Sequence, residues 1–315
     1  LKEQRKFALK SLHEIGFGSA ALEDTVHNYA MEVVSRWKNA GDGQIDVTEN
    51  IMKVVGNTIW NVTFGIELDF DNAIVPKFRH YLEATMPLMA GPLMMMIEAF
   101  PFLKKFDYLF NNHCFKLQDL FDKSNEMVDE AINATQRNFN QNNQPICYVE
   151  AFLREMKKNE YAGRPSGNFH MDQLRGSVMN LWGAGFDTTV AMTRMCCLEL
   201  VNHPEVQTKL QKEVDDVCGE RRIRYEDYKR LPYTCAFLQE ARLQNCWPLA
   251  AGTTVLPQFS MVHSDPNEFE RPDYFCPERH IDNDGNFVKV PPPVKFLNNF
   301  TRCVDDFMVN IKPRT

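Results

Sequence analysis

The sequence predicts a mainly α-helical fold with a small β part late in the chain. Apolar residues recur at helical spacing through most of the sequence up to Pro248. Strand-like sequence appears only after that proline, at residues 253–256 and 259–262, and the last forty residues are predicted to be loop. Strands and helices do not alternate and no internal repeat is present, which excludes a doubly wound α/β fold and a repeat array.

The predicted helices rest on apolar stripes that are bounded by capping or breaking residues. Residues 22–38 carry Val26 and Val33 at helical spacing, and Asp46 offers a capping carboxylate for a helix over residues 49–64. The full set of predicted helices covers residues 1–12, 22–38, 49–64, 76–88, 113–141, 149–158, 171–203, 204–217 and 233–243.

Composition excludes several classes of protein. The chain has 35 basic and 42 acidic residues and a net charge of −7, whereas a nucleic-acid surface needs a basic surplus. Nine cysteines without a C-x-x-C pattern argue against a secreted disulfide framework or a zinc module, and fit reduced thiols in a cytosol-facing protein. No apolar stretch is long enough to predict a membrane span. Because the chain opens at Leu1 inside a helix-like pattern, we expect a fragment, incomplete at both ends.

One turn of the predicted helix over residues 171–203 combines two glycines, an acid and two hydroxyls, in the order Trp-Gly-Ala-Gly-Phe-Asp-Thr-Thr over residues 182–189. Each mid-helix glycine costs about 1 kcal/mol, and a threonine hydroxyl can bond back to a carbonyl and open the helix. We expect residues 181–190 to lie buried, with the helix locally widened at Gly185. Asp187 beside Thr188 could then hold water and pass protons. The alternative is close helix packing with a solvated Asp187.

Several segments occur in an order that resembles the cytochrome P-450 haem-thiolate monooxygenases, specifically their microsomal drug- and steroid-metabolising branch. The resemblance is collinear over about residues 2–290. The segments that carry it are KEQRKFAL (2–9), AGFDTT (184–189), NHPEVQ (202–207), LPYTCAFLQE (231–240), HSDP (263–266) and FCPERH (275–280).

The resemblance implies a haem cofactor whose iron takes an axial thiolate from Cys303. It further implies that Arg5 pairs with a haem propionate and that Asp187 and Thr188 deliver protons. The other cofactor-binding positions that it implies are Ala184, Gly185, Phe296 and Arg302. The implied reaction inserts one oxygen atom of O2 into a small apolar organic substrate. Electrons would come from an NADPH-dependent reductase at the cytosolic face of the endoplasmic reticulum membrane.

Two motifs depart from the family pattern. The family pairs Glu with an Arg three residues later, but Arg242 follows Glu240 by two residues, about 200° round the helix. We therefore expect Glu240 to meet Arg279 instead. In the haem-ligand loop, Asn299 stands at a family glycine, Arg302 has moved next to Cys303, and Asp305 replaces the last glycine, while the helix that follows the cysteine in the family is replaced by twelve residues.

The altered loop leaves two interpretations of the function open. As a member of the family, the chain is a single domain over residues 1–315, with a helical core at 1–250 and a short β segment and haem-ligand loop at 251–315. Because the haem supports are altered, the chain as given is expected to bind haem poorly and to turn over little substrate. The alternative is a non-catalytic helical remnant that binds at most an apolar ligand or a protein partner.

The roles of some individual residues also stay open. Cys303 is either the axial ligand or a free thiol in the tail. Residues 86–97, bounded by Met86 and Ile97, carry no charge. They fall where the family has a substrate lid that dips into the membrane, and their methionines are equally typical of an ordinary core. Three cysteines are predicted to be core residues, namely Cys196, Cys197 and Cys235. Two histidines are predicted to be surface or structural residues, namely His263 and His280.

Overall fold

The computed structural model describes residues 2–17, 20–39, 44–161, 163, 169–244, 274–288 and 308–310. Within this part of the chain the α-helices are α1 (Lys2–Glu14), α2 (Ala20–Asn39), α3 (Val47–Phe64), α4 (Ile74–Ala90), α5 (Pro92–Ala99), α6 (His113–Asn138), α7 (Tyr148–Tyr161), α8 (Met171–Asn202), α9 (Pro204–Cys218) and α10 (Pro232–Gln244). Three 3-10 helices cover Pro101–Phe110, Tyr225–Arg230 and Pro277–His280, and two strands are β1 (Gln44–Asp46) and β2 (Met308–Asn310).

The chain divides into two compact units, and the boundaries between them fall inside α2, α3 and α8. The first unit comprises residues 1–35 and 52–186, and the second comprises residues 36–51 and 187–315. Each unit has its own set of buried side chains, so each is described separately.

The core of the first unit is aromatic. Trp182 of α8 lies edge-on to Phe78 of α4 and to Trp60 of α3, with ring centroids 3.7 and 5.2 Å apart. All three side chains are at most 2% exposed. Phe7 of α1 packs edge-on against Phe169, with centroids 5.1 Å apart. Such edge-to-face pairs add to the stability that apolar burial supplies. The tryptophan pairs hold α3, α4 and α8 together, and the Phe7 pair holds α1 against the residue two positions before α8.

Side-chain hydrogen bonds close two helix ends in the first unit. The hydroxyl of Thr135 on α6 donates to the carbonyl of Phe64 at 2.8 Å, at the end of α3, where Gly65 takes a positive φ of 69°. The carboxylate of Asp107 accepts the N–H groups of Cys114 and Phe115 at 2.9 and 3.0 Å, in the first turn of α6. These bonds satisfy backbone groups that a helix end leaves without partners.

The second unit packs the C-terminal part of α8 against α9, α10 and the segment before the last 3-10 helix. Its buried cluster contains Cys196, Val206, Phe237, Ala241 and Phe275. In the same unit β1 pairs antiparallel with β2, with Ile45 opposite Val309. The carboxylate of Asp46 accepts the N–H of Glu49 at 3.1 Å, so this residue caps α3 as the sequence predicts.

The mainly α-helical prediction is confirmed, and most predicted helices match observed ones to within a few residues. Pro87 does not end its helix, since α4 continues through it to Ala90. Pro92 and Pro101 instead stand at the first turns of α5 and of a 3-10 helix, where a missing N–H costs nothing.

The observed strands do not lie where the sequence predicts them. The expected strands at 253–256 and 259–262 lie outside the described residues. Residues 308–310, expected to be loop, pair with β1 instead, more than 260 positions earlier in the chain. A strand of three residues that is stabilised by such a distant partner leaves no local pattern in its own sequence.

No α-helix in the described ranges is both long enough and apolar enough to cross a membrane.

Candidate functional site

We call residues 181–190 of α8 its central turn. This segment has one buried and one exposed face. Trp182 and Phe186 are 1% and 3% exposed, whereas Ala184, Thr188 and Thr189 are exposed. The expectation that this turn is buried on all sides is therefore wrong for one face. The physical reason is the side-chain size pattern, because the bulky residues four apart share one face of a helix and leave the small ones on the other.

The two glycines of this turn have different surroundings. A Cβ added at Gly185 would lie 3.1 Å from the Cδ1 atom of Ile59 on α3, whereas one added at Gly183 would meet nothing within 4 Å. Gly185 therefore permits the close approach of α3 and α8 in the first unit, which is the packing interpretation offered from the sequence. Its proposed part in cofactor binding is not tested by this contact.

The helix is not opened at Gly185. The α-helical assignment runs without interruption from Met171 to Asn202, so the expected local widening is not observed. A threonine does bond back to the preceding turn, but one turn further on, where the Thr193 hydroxyl donates to the Thr189 carbonyl at 2.8 Å. Asp187 is half-buried beside the exposed Thr188. The two groups expected to handle protons thus lie at the accessible side of an intact helix.

Arg5 lies on the exposed side of α1. Phe7, two residues later, points into the aromatic core against Phe152 and Phe169, at centroid distances of 5.6 and 5.1 Å. Residues two apart are about 200° apart round a helix, so Arg5 is held outward by the packing of Phe7. Among the described residues the Arg5 guanidinium has neither an ion pair nor a hydrogen bond, which leaves its donors available to an anionic ligand.

The described residues fit the part of a haem site that does not include the axial ligand. In the first unit, Ala184 has a small, exposed side chain and Arg5 has an exposed guanidinium that can pair with a carboxylate. The predicted ligand Cys303, with Phe296 and Arg302, lies outside the described residues. Within the described ranges no group of three or more His, Cys, Asp or Glu side chains could hold a metal ion.

The cysteines predicted to be core residues are poor candidates for a metal ligand. Burial raises the pKa of the Cys196 thiol to about 12 and that of Cys197 to about 11. Burial, with a smaller contribution from Glu213, raises the pKa of Cys235 as well. Thiols with raised pKa values remain protonated at neutral pH, and only the thiolate is a strong ligand.

A second arrangement of charged residues lies in the second unit, around Glu240 of α10. Its carboxylate is nearly buried, at 3% exposure. Oε1 accepts the backbone N–H of Cys276 at 3.1 Å, and Oε2 lies 3.0 Å from Nε of Arg279 and 3.0 Å from Nε2 of His280. We call Glu240, Arg279, His280 and the Cys276 amide the Glu240 cluster. It fastens the segment 274–280 to α10.

The predicted contact between Glu240 and Arg279 is therefore present. Arg279 is held further by the carbonyls of Cys276 and Tyr274, at 3.2 and 2.7 Å. The side chain of Arg242 lies outside the described part of the structure, so its place in this network stays a prediction. His280 was predicted to be surface or structural rather than a ligand, and at 0% exposure it is structural.

Sequence analysis did not identify two contacts that organise this region. The contact of His280 with Glu240, forty residues earlier in the chain, was not predicted. Glu213 of α9 accepts the N–H groups of Tyr233 and Thr234 at 2.7 and 2.8 Å, and so caps α10 from a neighbouring helix. A cap supplied twenty residues away has no signature in the local sequence.

The family model described as Cytochrome P450 matches residues 1–250. That range includes Arg5, the central turn of α8 and Glu240, and it ends before Cys303.

Individual relatives extend the similarity over nearly the whole chain. Rat cytochrome P450 2J3 is 31% identical over 97% of the chain and 63% of its own length. Zebrafish cytochrome P450 2K6 is 29% identical over 99% of the chain and 64% of its own length. The nematode Caenorhabditis elegans has a probable cytochrome P450 CYP36A1 that is 28% identical over 91% of the chain and 62% of its own length. The chain thus spans less than two thirds of these relatives, and the family match over residues 1–250 establishes that it belongs to the cytochrome P450 family.

Proposed function

We propose that this chain carries the haem-binding part of a monooxygenase that inserts one oxygen atom of O2 into a small apolar organic substrate. The observation that supports it best is the exposed face of α8, where Ala184 and Thr188 present small side chains beside the half-buried Asp187. The family match supplies the class of cofactor and reaction.

The chain's own residues would hold the cofactor and manage protons. Cys303 would supply the axial thiolate, and Arg5 would bind a propionate through its outward guanidinium. Ala184 and Gly185 would allow the ring to approach the helix, because neither carries a side chain larger than a methyl group. Phe296 would cover the ring and Arg302 would pair with its charged edge. When bound, haem supplies an iron centre that activates O2, with a thiolate that favours O–O cleavage.

Asp187 and Thr188 would hold and move protons at the same face. The Thr188 hydroxyl can both donate and accept a hydrogen bond, and the Asp187 carboxylate beside it can accept from solvent. Their position at the accessible side of α8 allows protons to arrive from water. A positioned acid–base pair of this kind contributes about 10²–10⁴-fold to a rate.

The altered loop around Cys303 lowers the haem affinity and the catalytic activity that we expect of this chain. Asp305 places a negative charge two residues from the thiolate, which opposes ligation, and Asn299 replaces a glycine that allows close backbone approach. We propose that haem binds weakly for these reasons. A non-catalytic helical protein is the competing function, and it is favoured by the same two residues.

The exposed apolar residues in the last turns of α4 and in the segment after it support contact with a membrane surface. Within the described ranges, Met86, Met89, Met95 and Met96 are between 48% and 59% exposed. The exposed stretch continues into Phe102 and Leu109, at 58% and 66%. Ordinary core methionines would be covered, so these observations favour the membrane interpretation of residues 86–97. We propose that the protein lies at the cytosolic face of the endoplasmic reticulum and receives electrons from an NADPH-dependent reductase.

The deciding experiment is an absorbance spectrum of the reduced, carbon-monoxide-treated protein at a measured haem content. The proposal expects a thiolate-type Soret shift in the parent, lost in Cys303→Ala and kept in Cys114→Ala, since Cys114 lies on α6 of the first unit and is a matched control. No shift in the parent at excess haem would establish the non-catalytic alternative instead.

A further inference from the structure

We propose that His280 is a positioning residue whose imidazole N–H completes the hydrogen bonding of the buried Glu240 carboxylate. The inference concerns the folding of the second unit, and it does not depend on haem binding or on monooxygenase activity.

The first support is geometric. His280 is 0% exposed, and its Nε2 atom lies 3.0 Å from Oε2 of Glu240, which is itself 3% exposed. A carboxylate buried to this extent needs several hydrogen bonds, because removing it from water costs several kcal/mol. The Cys276 amide donates a hydrogen bond to Oε1, and the Arg279 guanidinium contacts Oε2, as His280 does. Without the imidazole, Glu240 would keep only two of these three partners.

The second support comes from helix geometry. Residues three apart on a helix lie about 300° apart and so share a face, whereas Arg242 follows Glu240 by two residues, about 200° round α10. The face of α10 that presents Glu240 receives instead the 3-10 helix Pro277–His280. The imidazole at the last residue of this 3-10 helix therefore reaches Oε2 of Glu240.

The third support is the balance of charge and donors. Arg279 already neutralises Glu240, so the remaining requirement is an N–H donor rather than a second cation. A neutral imidazole that donates from Nε2 meets that requirement. Nδ1 is buried with no hydrogen-bond partner in the described residues, so a second ring proton would lack an acceptor. The neighbouring Glu278 does not compete, because Lys209 and Tyr233 bind its carboxylate.

The test compares four variants by urea unfolding. His280→Phe keeps an aromatic ring but removes the donor, and His280→Gln keeps an N–H donor. An alanine inserted after Ala241 restores the three-residue spacing from Glu240 to the arginine, and it is made alone and together with His280→Phe. His80→Phe, at an exposed position of α4, is the matched control for the same chemical change.

We expect His280→Phe to raise the unfolding equilibrium constant about ten-fold or more, since it removes a hydrogen bond to a charged group. His280→Gln should recover most of that loss, the inserted alanine should relieve it, and His80→Phe should change the constant less than about two-fold. If His280→Phe does not fold, near-parent unfolding of His280→Gln still supports the role of the donor. Equal losses in the Phe and Gln variants, or no relief by the insertion, would overturn the proposal.

Discussion

The central turn of α8 and the Glu240 cluster present opposite relations between motif and contact. At residues 184–189 the sequence keeps the family pattern, yet Ala184 and Thr188 are exposed and the helix is unbroken. At Glu240 the spacing to Arg242 is altered, yet the carboxylate is buried with three partners. The difference teaches that a conserved-looking motif does not by itself fix the burial of its side chains, whereas a buried carboxylate keeps its hydrogen-bond partners even where the motif spacing is altered.

The largest expected effect is the loss of the central carboxylate of the Glu240 cluster. Glu240→Ala leaves Arg279 and His280 without their shared acceptor, and we expect the free energy of unfolding to fall by about 3–5 kcal/mol. Urea unfolding measures the change, and Glu220→Ala, at an exposed position of the same unit, should stay within about 0.5 kcal/mol of the parent. A cost below 1 kcal/mol for Glu240→Ala would mean that the cluster contributes little.

A second prediction separates function from fold on α8. Thr188→Val removes the exposed hydroxyl at nearly constant volume, so we expect little change in the unfolding midpoint. Product formed per haem should fall about 10²-fold in protein that binds haem, because proton delivery is lost. Thr208→Val, at an exposed position on α9, should leave product formation at the parent level. Unchanged turnover in Thr188→Val would remove this hydroxyl from the mechanism.

The two glycines of the same turn offer a smaller and sharper test. Gly183→Ala adds a methyl group into open space and should stabilise the protein by up to about 1 kcal/mol, the usual gain for replacing a mid-helix glycine. Gly185→Ala places its Cβ 3.1 Å from Ile59, so we expect this gain to be offset. Thermal unfolding of the two variants decides the point. Equal stabilisation by both would contradict close packing of α3 on Gly185.

The smallest expected effect is a pH-dependent change in stability at Asp227, another carboxylate that is bound by protein groups. Arg221 donates to both oxygens of Asp227 at 2.7 and 2.6 Å, and with the Arg224 amide it lowers the pKa of that carboxyl. A carboxyl whose pKa is lowered in the folded state stabilises the protein at pH values above its unfolded pKa of about 4. This stabilisation is lost as the pH falls below that value. We expect Asp227→Asn to be less stable than the parent at pH 7, with the difference shrinking below pH 4. A difference independent of pH would exclude this linkage.

Particular residues explain how much of the fold and of the site could be predicted from the sequence. The helices could be predicted, because apolar stripes such as that of α2 and a cap such as Asp46 are local in sequence. The pairing of β1 with β2 and the capping of α10 by Glu213 could not, since both depend on groups that meet only after folding. The exposed face at Thr188 was missed because glycine and threonine in an apolar helix fit burial as well as exposure.

The central proposal is that haem binds at the middle of α8, whereas the contacts of the Glu240 cluster are supplied by the protein. Amide hydrogen exchange tests it most directly, measured with and without excess haem. The account predicts that haem slows exchange around residues 181–190 and leaves the amides of α10 around Glu240 unchanged. Equal slowing in both regions, or slowing confined to α10, would contradict it.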